Sequence, residues 1–492
     1  MAVETEIKLS LPPRAASRLA RHPLLVGITP LRQRLLNTYY DTPDLRLQRE
    51  RIAVRYRKKG WQWLLTVKCA TSSAGGLARR NEWEVPGQPG EFDFSHVDDK
   101  KLRRLLESLR TELTPAFTTD FVRNAWLIEP QPGVRIELAL DRGQIEAKGR
   151  QAAICEVELE LLDGGLEALF ATASALQADL PLHPEVSSKA ERGYRLTADT
   201  GCVPAKALPA VIDERMTATT AFAAVALSCL TQLQGNERGL HESDNPEFVH
   251  QSRVAIRRLR SAIRLWKPLL PADFVTDFDP RWRALAATLG ETRNRDVFIT
   301  EILPALAAAF PAHPEVDRLS RHTLRRSVIN RKRARSAFKA TDYSRLLLDF
   351  TAATLDLPES RQPPLEAFAR RCLRKRAQRV SRLAAKIHEA NAEARHRLRV
   401  SLKRLRYALE FFVPLLPGRR TQRYLLATEY LQDLLGQMND LVIAVQFAKE
   451  ALPDTKGKFI CDWLGERNEH LLPELEKTLS AFLKQKAPWE DR

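Results

Sequence analysis

Apolar and charged residues alternate with period two from the start of the chain. Val3-Glu4-Thr5-Glu6-Ile7-Lys8-Leu9 puts Glu4, Glu6 and Lys8 on one face of a strand. The alternation returns at 51–58, 61–69, 79–86, 134–141 and 152–162, separated by Gly, Pro or Asp turns, so residues 1–162 read as mainly antiparallel β structure. Helical periodicity shows near 98–109 and 164–179, and a short segment from Ser188 to Leu196 closes this region. Residues 200–209, with Gly201, Pro204 and Pro209, have the composition of a linker. Beyond it, stretches rich in Ala, Leu and Arg at helical spacing run on, broken by Pro-containing loops. The pattern predicts an α+β multidomain chain: a strand-rich domain over 1–200, a linker over 201–212 and an all-α domain over 213–492.

Nearly every predicted strand has one ionic and one apolar face. Arg55 and Arg57 oppose Ile52, Val54 and Tyr56, and Thr66 and Lys68 oppose Trp63, Leu65 and Val67. Arg80, Glu82 and Glu84 alternate with Trp83 and Val85; Arg135, Glu137 and Asp141 oppose Ile136, Leu138 and Leu140; Glu156, Glu158 and Glu160 oppose Val157, Leu159 and Leu161. An open sheet with its charged face in water accounts for any one of these strands. Three carboxylates on one strand face are harder to place there, because they repel unless cations or basic groups neutralise them. Two carboxylates and an ammonium, as in the opening strand, suit a divalent cation and a polyanion together: hard oxygen ligands hold Mg2+ or Mn2+, while the cation and lysine meet phosphate oxygens. If the sheet closes with its ionic faces inward, these groups line a tunnel for metal and phosphate.

Size and charge sharpen this picture. The 492 residues exceed what one core usually organises, and 44% hydrophobic with 28% charged residues suits globular domains. Cys69, Cys155, Cys202, Cys229, Cys372 and Cys461 are scattered, with no C-x-x-C pair and no disulfide framework. The N-terminus lacks a basic-then-apolar leader and no apolar run approaches a membrane span, so a soluble, cytoplasmic protein is expected. Residues 1–200 hold 29 Lys+Arg against 27 Asp+Glu, whereas residues 201–492 hold 49 against 34. The second half is therefore the one that points to a polyanion: nucleic acid, an anionic membrane or another of that kind, among which charge alone does not choose.

Several runs of the first half resemble the CYTH domain, or triphosphate tunnel metalloenzyme family. They are Glu4-Thr5-Glu6-Ile7-Lys8, Tyr39-Tyr40-Asp41-Thr42-Pro43-Asp44, Arg55-Tyr56-Arg57, Thr66-Val67-Lys68, Arg80 to Glu84, Glu156 to Glu160, and Ser188-Lys189 to Gly193-Tyr194. The resemblance implies an eight-stranded antiparallel β-barrel tunnel with flanking helices, acting on a triphosphate with Mg2+ or Mn2+. It implies that Glu4 and Glu6, with a carboxylate from Glu156, Glu158 and Glu160, hold the metal. Lys8, Arg55, Arg57, Lys68, Arg123, Lys189 and Arg192 would then bind phosphate oxygens, and Glu82, Glu84 or Asp141 would hold or orient a second metal and its water. Glu4, Glu6, Lys8, Glu82, Glu158 and Glu160 form the expected catalytic set. Arg80 and Arg135 serve equally as phosphate ligands or as internal salt-bridge partners.

The helical half contains a repeat. Residues 250–260 (His-Gln-Ser-Arg-Val-Ala-Ile-Arg-Arg-Leu-Arg) and 396–406 (His-Arg-Leu-Arg-Val-Ser-Leu-Lys-Arg-Leu-Arg) match at an offset of 146 residues, as do Leu289-Gly290 and Leu435-Gly436. This predicts a pseudo-twofold helical bundle with halves at about 213–350 and 360–492. On a helix, His250, Arg253, Arg257, Arg260 and Arg264 form one stripe about 21 Å long. His396, Arg399, Lys403 and Arg406 repeat it, with Glu410 at the last basic position. A single stripe of this kind is usually a solvated face. Two aligned stripes, with basic runs at 325–335 and 370–382, favour an elongated polyanion. This half resembles the CHAD domain, which implies binding of inorganic polyphosphate. The combined expectation is hydrolysis of inorganic triphosphate with polyphosphate binding, no membrane association and an undetermined oligomeric state. The alternatives are hydrolysis of an organic triphosphate (nucleotide, RNA 5′ end or thiamine triphosphate), a non-catalytic polyphosphate-binding protein, and a nucleic-acid binder acting through the basic half. Aromatic residues between the basic positions would favour the last, and they are scarce.

Overall fold

The computed structural model describes residues 2–198, 201–358, 363–385, 387 and 391–490. Position 360, where the second repeat half was expected to begin, lies outside them. The chain divides into two compact units, one of residues 1–203 with 339–356 and one of 204–338 with 357–492.

In the first unit the alternating segments become strands β1 (Ala2–Ser10), β2 (Leu31–Asp41), β3 (Ile52–Lys59), β4 (Gln62–Ala74), β5 (Leu77–Pro86), β6 (Thr114–Gln131), β7 (Val134–Ala147) and β8 (Arg150–Asp163). All pair antiparallel in the order β5-β4-β3-β2-β6-β7-β8-β1, and β1 also pairs with β5, which closes an eight-stranded barrel. Closure leaves no free edge among these strands. A two-residue strand β9 (His183–Pro184) lies along β1.

The barrel is inside-out. Its apolar faces look outward to two cores. Ile7, Leu9, Ile136, Leu138, Val157 and Leu159 pack with Leu169, Ala173 and Leu176 of the helix Leu166–Asp179. Val54, Tyr56, Val67 and Trp83 pack with Phe92, Phe94, Leu102 and Leu106. The helix Lys100–Leu109 starts at Asp99, whose carboxylate accepts from the Lys101 and Leu102 amides. The ionic faces point into the lumen, where Glu6, Lys8, Asn37, Arg55, Thr66, Thr119, Asp141 and Glu156 are all buried. The helix Thr341–Leu355, far along the chain, also belongs to this unit: Leu348 is fully buried in the core with Leu9 and Leu169.

In the second unit the repeat extends to whole elements. Helices Pro246–Trp266 and Ala392–Phe412 begin 146 residues apart, as do Ala272–Val297 and Gly418–Ala451. The first pair even share a cap residue: Asn245 accepts from the Glu247 amide and Asn391 from the Ala394 amide. Within each copy the basic helix packs on its successor, and the two basic helices pack on each other. Trp266, fully buried, touches Phe222, Phe368, Phe411 and Phe412 and so ties several helices together. Residues 204–212 are not loose at their start: Asn236 accepts from the Ala205 amide at 3.0 Å and donates to the Ala205 carbonyl at 2.8 Å.

Candidate functional site

Strand register decides which lumen charges meet. Glu4 lies opposite Arg80, Lys8 opposite Glu158, Lys68 opposite Glu82 and Arg123 opposite Asp141. Each opposition becomes part of an ion-pair lattice. Lys68 Nζ sits 2.8 Å from both Glu4 and Glu82, and Arg80 reaches Glu6 at 2.8 Å. Lys8 Nζ lies 3.2 Å from Glu158 and 3.6 Å from Glu6. Arg55 lies 3.7 Å from Glu82 and Arg57 3.8 Å from Glu84. Lys189, at the start of the helix Lys189–Ala198, reaches Asp141 at 2.6 Å, Glu156 at 2.5 Å and Glu158 at 2.9 Å. Arg123 bonds Asp141 and Glu158, and Arg192 bonds Glu156.

The titration behaviour follows from that lattice. Burial alone would raise Glu158, but Lys189, Lys8 and Arg123 hold it well below the usual carboxylate range. Asp141 is lowered in the same way by Lys189 and Arg123, against its burial. Burial works against charge on Lys8, yet Glu6 and Glu158 outweigh it and raise its pKa. Arg57 falls to about 10, through burial and then the neighbouring Arg55. Glu160 goes the other way. Burial first, then Glu4 and Glu137, push it up to about 7. Register adds to the burial and the Glu4 charge, because Glu160 lies opposite Glu6 on one side and Glu137 on the other, a row of three carboxylates across three strands.

The structure thus brings Glu4, Glu6, Lys8, Arg55, Arg57, Lys68, Glu82, Arg123, Asp141, Glu156, Glu158, Glu160, Lys189 and Arg192 into one lumen. Ligand oxygens of Asp141, Glu156 and Glu158 all lie within 4.8 Å of one another, with Lys189 among them. The two arginines with open roles part company. Arg80 bonds Glu6 inside, whereas Arg135 pairs with Asp163 at an exposed barrel end, past a register shift in the ladder.

Four lumen residues were absent from the sequence-based set. Asn37 accepts from Arg57 at 3.1 Å and donates to Thr119 at 2.9 Å. Thr66 donates to Glu84 at 2.8 Å. Tyr39 accepts from Arg55 at 3.2 Å, stacks on Phe117, and has a lowered pKa because Arg55 and Arg57 overcome its burial. Their signal lay in parity: Thr66 shares the ionic face of Lys68 on β4, and Asn37 and Tyr39 share a face of β2, but β2 and β6 lack the clean alternation that marks the other strands.

In the second unit the two basic stripes converge. Arg257 is a principal repulsive neighbour of Arg253, Arg399 and Lys403. Burial first and like charge second bring Arg253 down to about 9, Arg399 to about 10 and Lys403 well below an ordinary lysine. His250 is lowered by burial and by Arg293. The distal ends differ. Arg260 and Arg264 pair with Asp279 at 2.9 and 3.4 Å, and Arg406 is taken by Glu410 and Glu429, each at 2.7 Å. His396 is exposed, with Nδ1 3.2 Å from Asn439 Oδ1.

Comparison with known proteins agrees with this division. Residues 2–194 match the CYTH domain model and residues 224–449 the CHAD domain model. An inorganic triphosphatase of Haemophilus influenzae is 34% identical over 202 residues, which take in 40% of this chain and 55% of that relative's length. The chain thus spans little more than half of that curated relative. The crystal structure of the CHAD domain from the plant Ricinus communis superposes with a TM-score of 0.52 at 28% identity, covering 57% of this chain and 98% of that one. Among the described residues no helix is long and apolar enough to cross a membrane. The chain carries an N-terminal CYTH domain, built as a closed eight-stranded barrel with an ionic lumen, followed by a helical CHAD domain.

Proposed function

We propose that this protein hydrolyses inorganic triphosphate to diphosphate and phosphate in the barrel lumen with Mg2+ or Mn2+, while the basic face of the second unit holds inorganic polyphosphate. The observation that carries the first part is the near balance of the lumen. Lys8, Arg55, Arg57, Lys68, Arg80, Arg123, Lys189 and Arg192 face Glu4, Glu6, Glu82, Glu84, Glu137, Asp141, Glu156, Glu158 and Glu160. A triphosphate entering alone would take arginines and lysines from their carboxylates and leave those carboxylates uncompensated. A divalent cation entering with it restores the balance.

The row Glu6, Glu160 and Glu137, with Glu4, fits that cation best. These are hard oxygen donors whose crowding raises Glu160, and a cation there displaces Lys68 from Glu4 and Arg80 from Glu6, whereas among Asp141, Glu156 and Glu158 it must displace Lys189, which reaches all three, together with Arg123 and Arg192. We assign Glu4, Glu6 and Glu160 as ligands, with Glu82, Asp141, Glu156 and Glu158 as the reserve that a second ion would use. Bound there, the cation supplies a Lewis acid for phosphoryl oxygens and an acidified water. Lys8, Arg55, Arg57, Lys68, Arg123, Lys189 and Arg192 hold the phosphoryl oxygens and spread the charge that develops during transfer. Tyr39 and Asn37 keep the two arginines of β3 aimed inward.

Supporting the second part, Arg253, Arg257, Arg399 and Lys403 are crowded against their own electrostatics, an arrangement that a polyanion relieves. A soluble protein of the cytoplasm is the setting we infer for both activities.

The experiment is phosphate release from inorganic triphosphate, ATP and long-chain polyphosphate at matched phosphate concentration, each with Mg2+, Mn2+ or EDTA. Metal-dependent preference for triphosphate, abolished in Glu4→Ala and Glu6→Ala, is the expected result. Equal or better turnover of ATP would replace inorganic triphosphate by an organic one, and no release from any would reduce the protein to a polyphosphate binder.

A further inference from the structure

Lys8 is held by its backbone as well as by its ammonium. Its N–H donates to the Gly76 carbonyl at 2.9 Å, and its own carbonyl accepts from the Glu185 amide at 2.9 Å. Gly76 lies in the turn between β4 and β5, and Glu185 follows β9. The helix Thr341–Leu355 touches a residue within two positions of each. Ser344 Oγ is 2.8 Å from His183 Nδ1, with the Tyr343 ring beside the same imidazole at 5.8 Å. Two turns further on, Thr351 closes over Gly75, where an added Cβ would stand 1.8 Å from Thr351 Oγ1. Ser344 and Thr351 are buried, and Leu348 between them anchors the helix in the core.

We propose that Ser344 and Thr351 are positioning residues of the tunnel. From outside the barrel they hold the two segments, 183–185 and 75–76, that fix the backbone of Lys8 and with it the reach of its ammonium into the lumen. This rests on the assignment of Lys8 as a phosphate ligand. It assigns a part in the tunnel to a helix that the chain supplies from beyond residue 338. Gly75 is the matching feature on the barrel side: its φ of +61° and the missing side chain let the turn lie against the helix.

The test uses the full chain and three variants. Ser344→Ala removes the bond to His183 and is expected to lower kcat about 5-fold with KM nearly unchanged, and Ser344→Thr is expected to restore it. Gly75→Ala must part the turn from the helix by about 1 Å to reach the 3.0 Å that real Cβ atoms keep. A shift of that size is expected to cost about 100-fold in kcat. Gly75→Ala combined with Thr351→Ala leaves only the Thr351 Cβ, at 2.7 Å, in the way and is expected to recover most of the loss. The left-handed strain at position 75 is common to the single and double variants, so their difference isolates the contact. Hydrogen exchange of the Lys8 and Glu185 amides should accelerate in the impaired variants and return in the rescued ones.

Unchanged kcat in Ser344→Ala and Gly75→Ala overturns the proposal, as does a double variant no better than the single. Faster exchange with unchanged kcat also overturns it, by reducing the helix to a structural prop. A wild-type chain that releases no phosphate from triphosphate sinks the tunnel reading itself, and this proposal with it; wild-type turnover with insensitive variants sinks the positioning alone.

Discussion

Replacing Lys189 by Met should make the first unit lose stability more steeply as pH rises. The ammonium stands 2.5–2.9 Å from Asp141, Glu156 and Glu158 and is only 7% exposed. Without it, three carboxylates with oxygens within 4.8 Å of one another lose their shared counter-ion. At an effective dielectric of about 20, two unit charges at that distance repel by ~3.5 kcal/mol. Arg123 and Arg192 remain on the same carboxylates and offset part of this, so a net loss of about 3–5 kcal/mol at pH 8 is expected. The steepness of the pH dependence separates this cause from lost packing. In the wild type Glu158 and Asp141 are depressed, so their contribution is present above the unfolded value of about 4 and disappears only as acid reaches the lowered folded values. In Lys189→Met, Asp141 and Glu158 lose the ammonium that lowers each of them most, and burial raises them instead. Their contribution to stability is then highest where the carboxyls are protonated, and falls as pH climbs through the raised folded values. Calorimetric scans of the full chain at pH 5 and pH 8 should therefore show the variant's first-unit transition dropping with pH more steeply than the wild-type transition, in which Glu160, pushed up to about 7, already brings a smaller drop. Millimolar Mg2+ or Mn2+ should return part of the loss at pH 8. A variant with wild-type midpoints at both pH values would refute the charge accounting.

Three further outcomes follow from single contacts. Lys403→Met removes a half-buried, repelled ammonium and should raise the second unit's stability by about 1–2 kcal/mol while weakening polyphosphate binding about tenfold, read by melting and by titration calorimetry; in the wild type that binding should weaken as pH rises through the lowered lysine pKa. Gly143→Ala would place a Cβ 2.1 Å from the Asp120 carbonyl oxygen and 2.4 Å from the Phe121 Cα, both backbone atoms, so the β6–β7 ladder must part and the first-unit transition should fall by at least ~3 kcal/mol in a thermal scan. Asn236→Ala abandons the Ala205 amide and carbonyl and should cost about 1–3 kcal/mol, visible as new protease cleavage within residues 204–212.

Legibility along the chain followed the strength of local pattern. Segments with strict alternation, such as 52–59 and 150–163, formed strands whose ionic faces were already assigned correctly. Leu31–Asp41 and Thr114–Gln131 form the two strands that the pattern left unmarked. Both mix polar and apolar residues on each face, because their lumen side carries Leu35, Tyr39, Phe117 and Phe121 beside Asn37 and Thr119. The basic stripes were legible as a 146-residue repeat, yet only packing separates the convergent residues Arg253, Arg257, Arg399 and Lys403 from Arg260, Arg264 and Arg406, which acidic neighbours neutralise.

By itself the sequence determined what each face is made of: period two with charge on one side in the first half, period 3.6 with arginine on one side in the second. Those are local properties, and side-chain periodicity alone encodes them. The tertiary structure decided which charges meet. Strand pairing set Glu160 between Glu6 and Glu137, and packing brought Lys189, from a helix, among three carboxylates of β7 and β8. Packing also buried Leu348, of a helix from residues 341–355, in the core that holds Ile7 and Leu9 of the strand carrying Lys8. Each of these joins residues more than 20 positions apart, and pairing register and burial, which no local pattern carries, settle them.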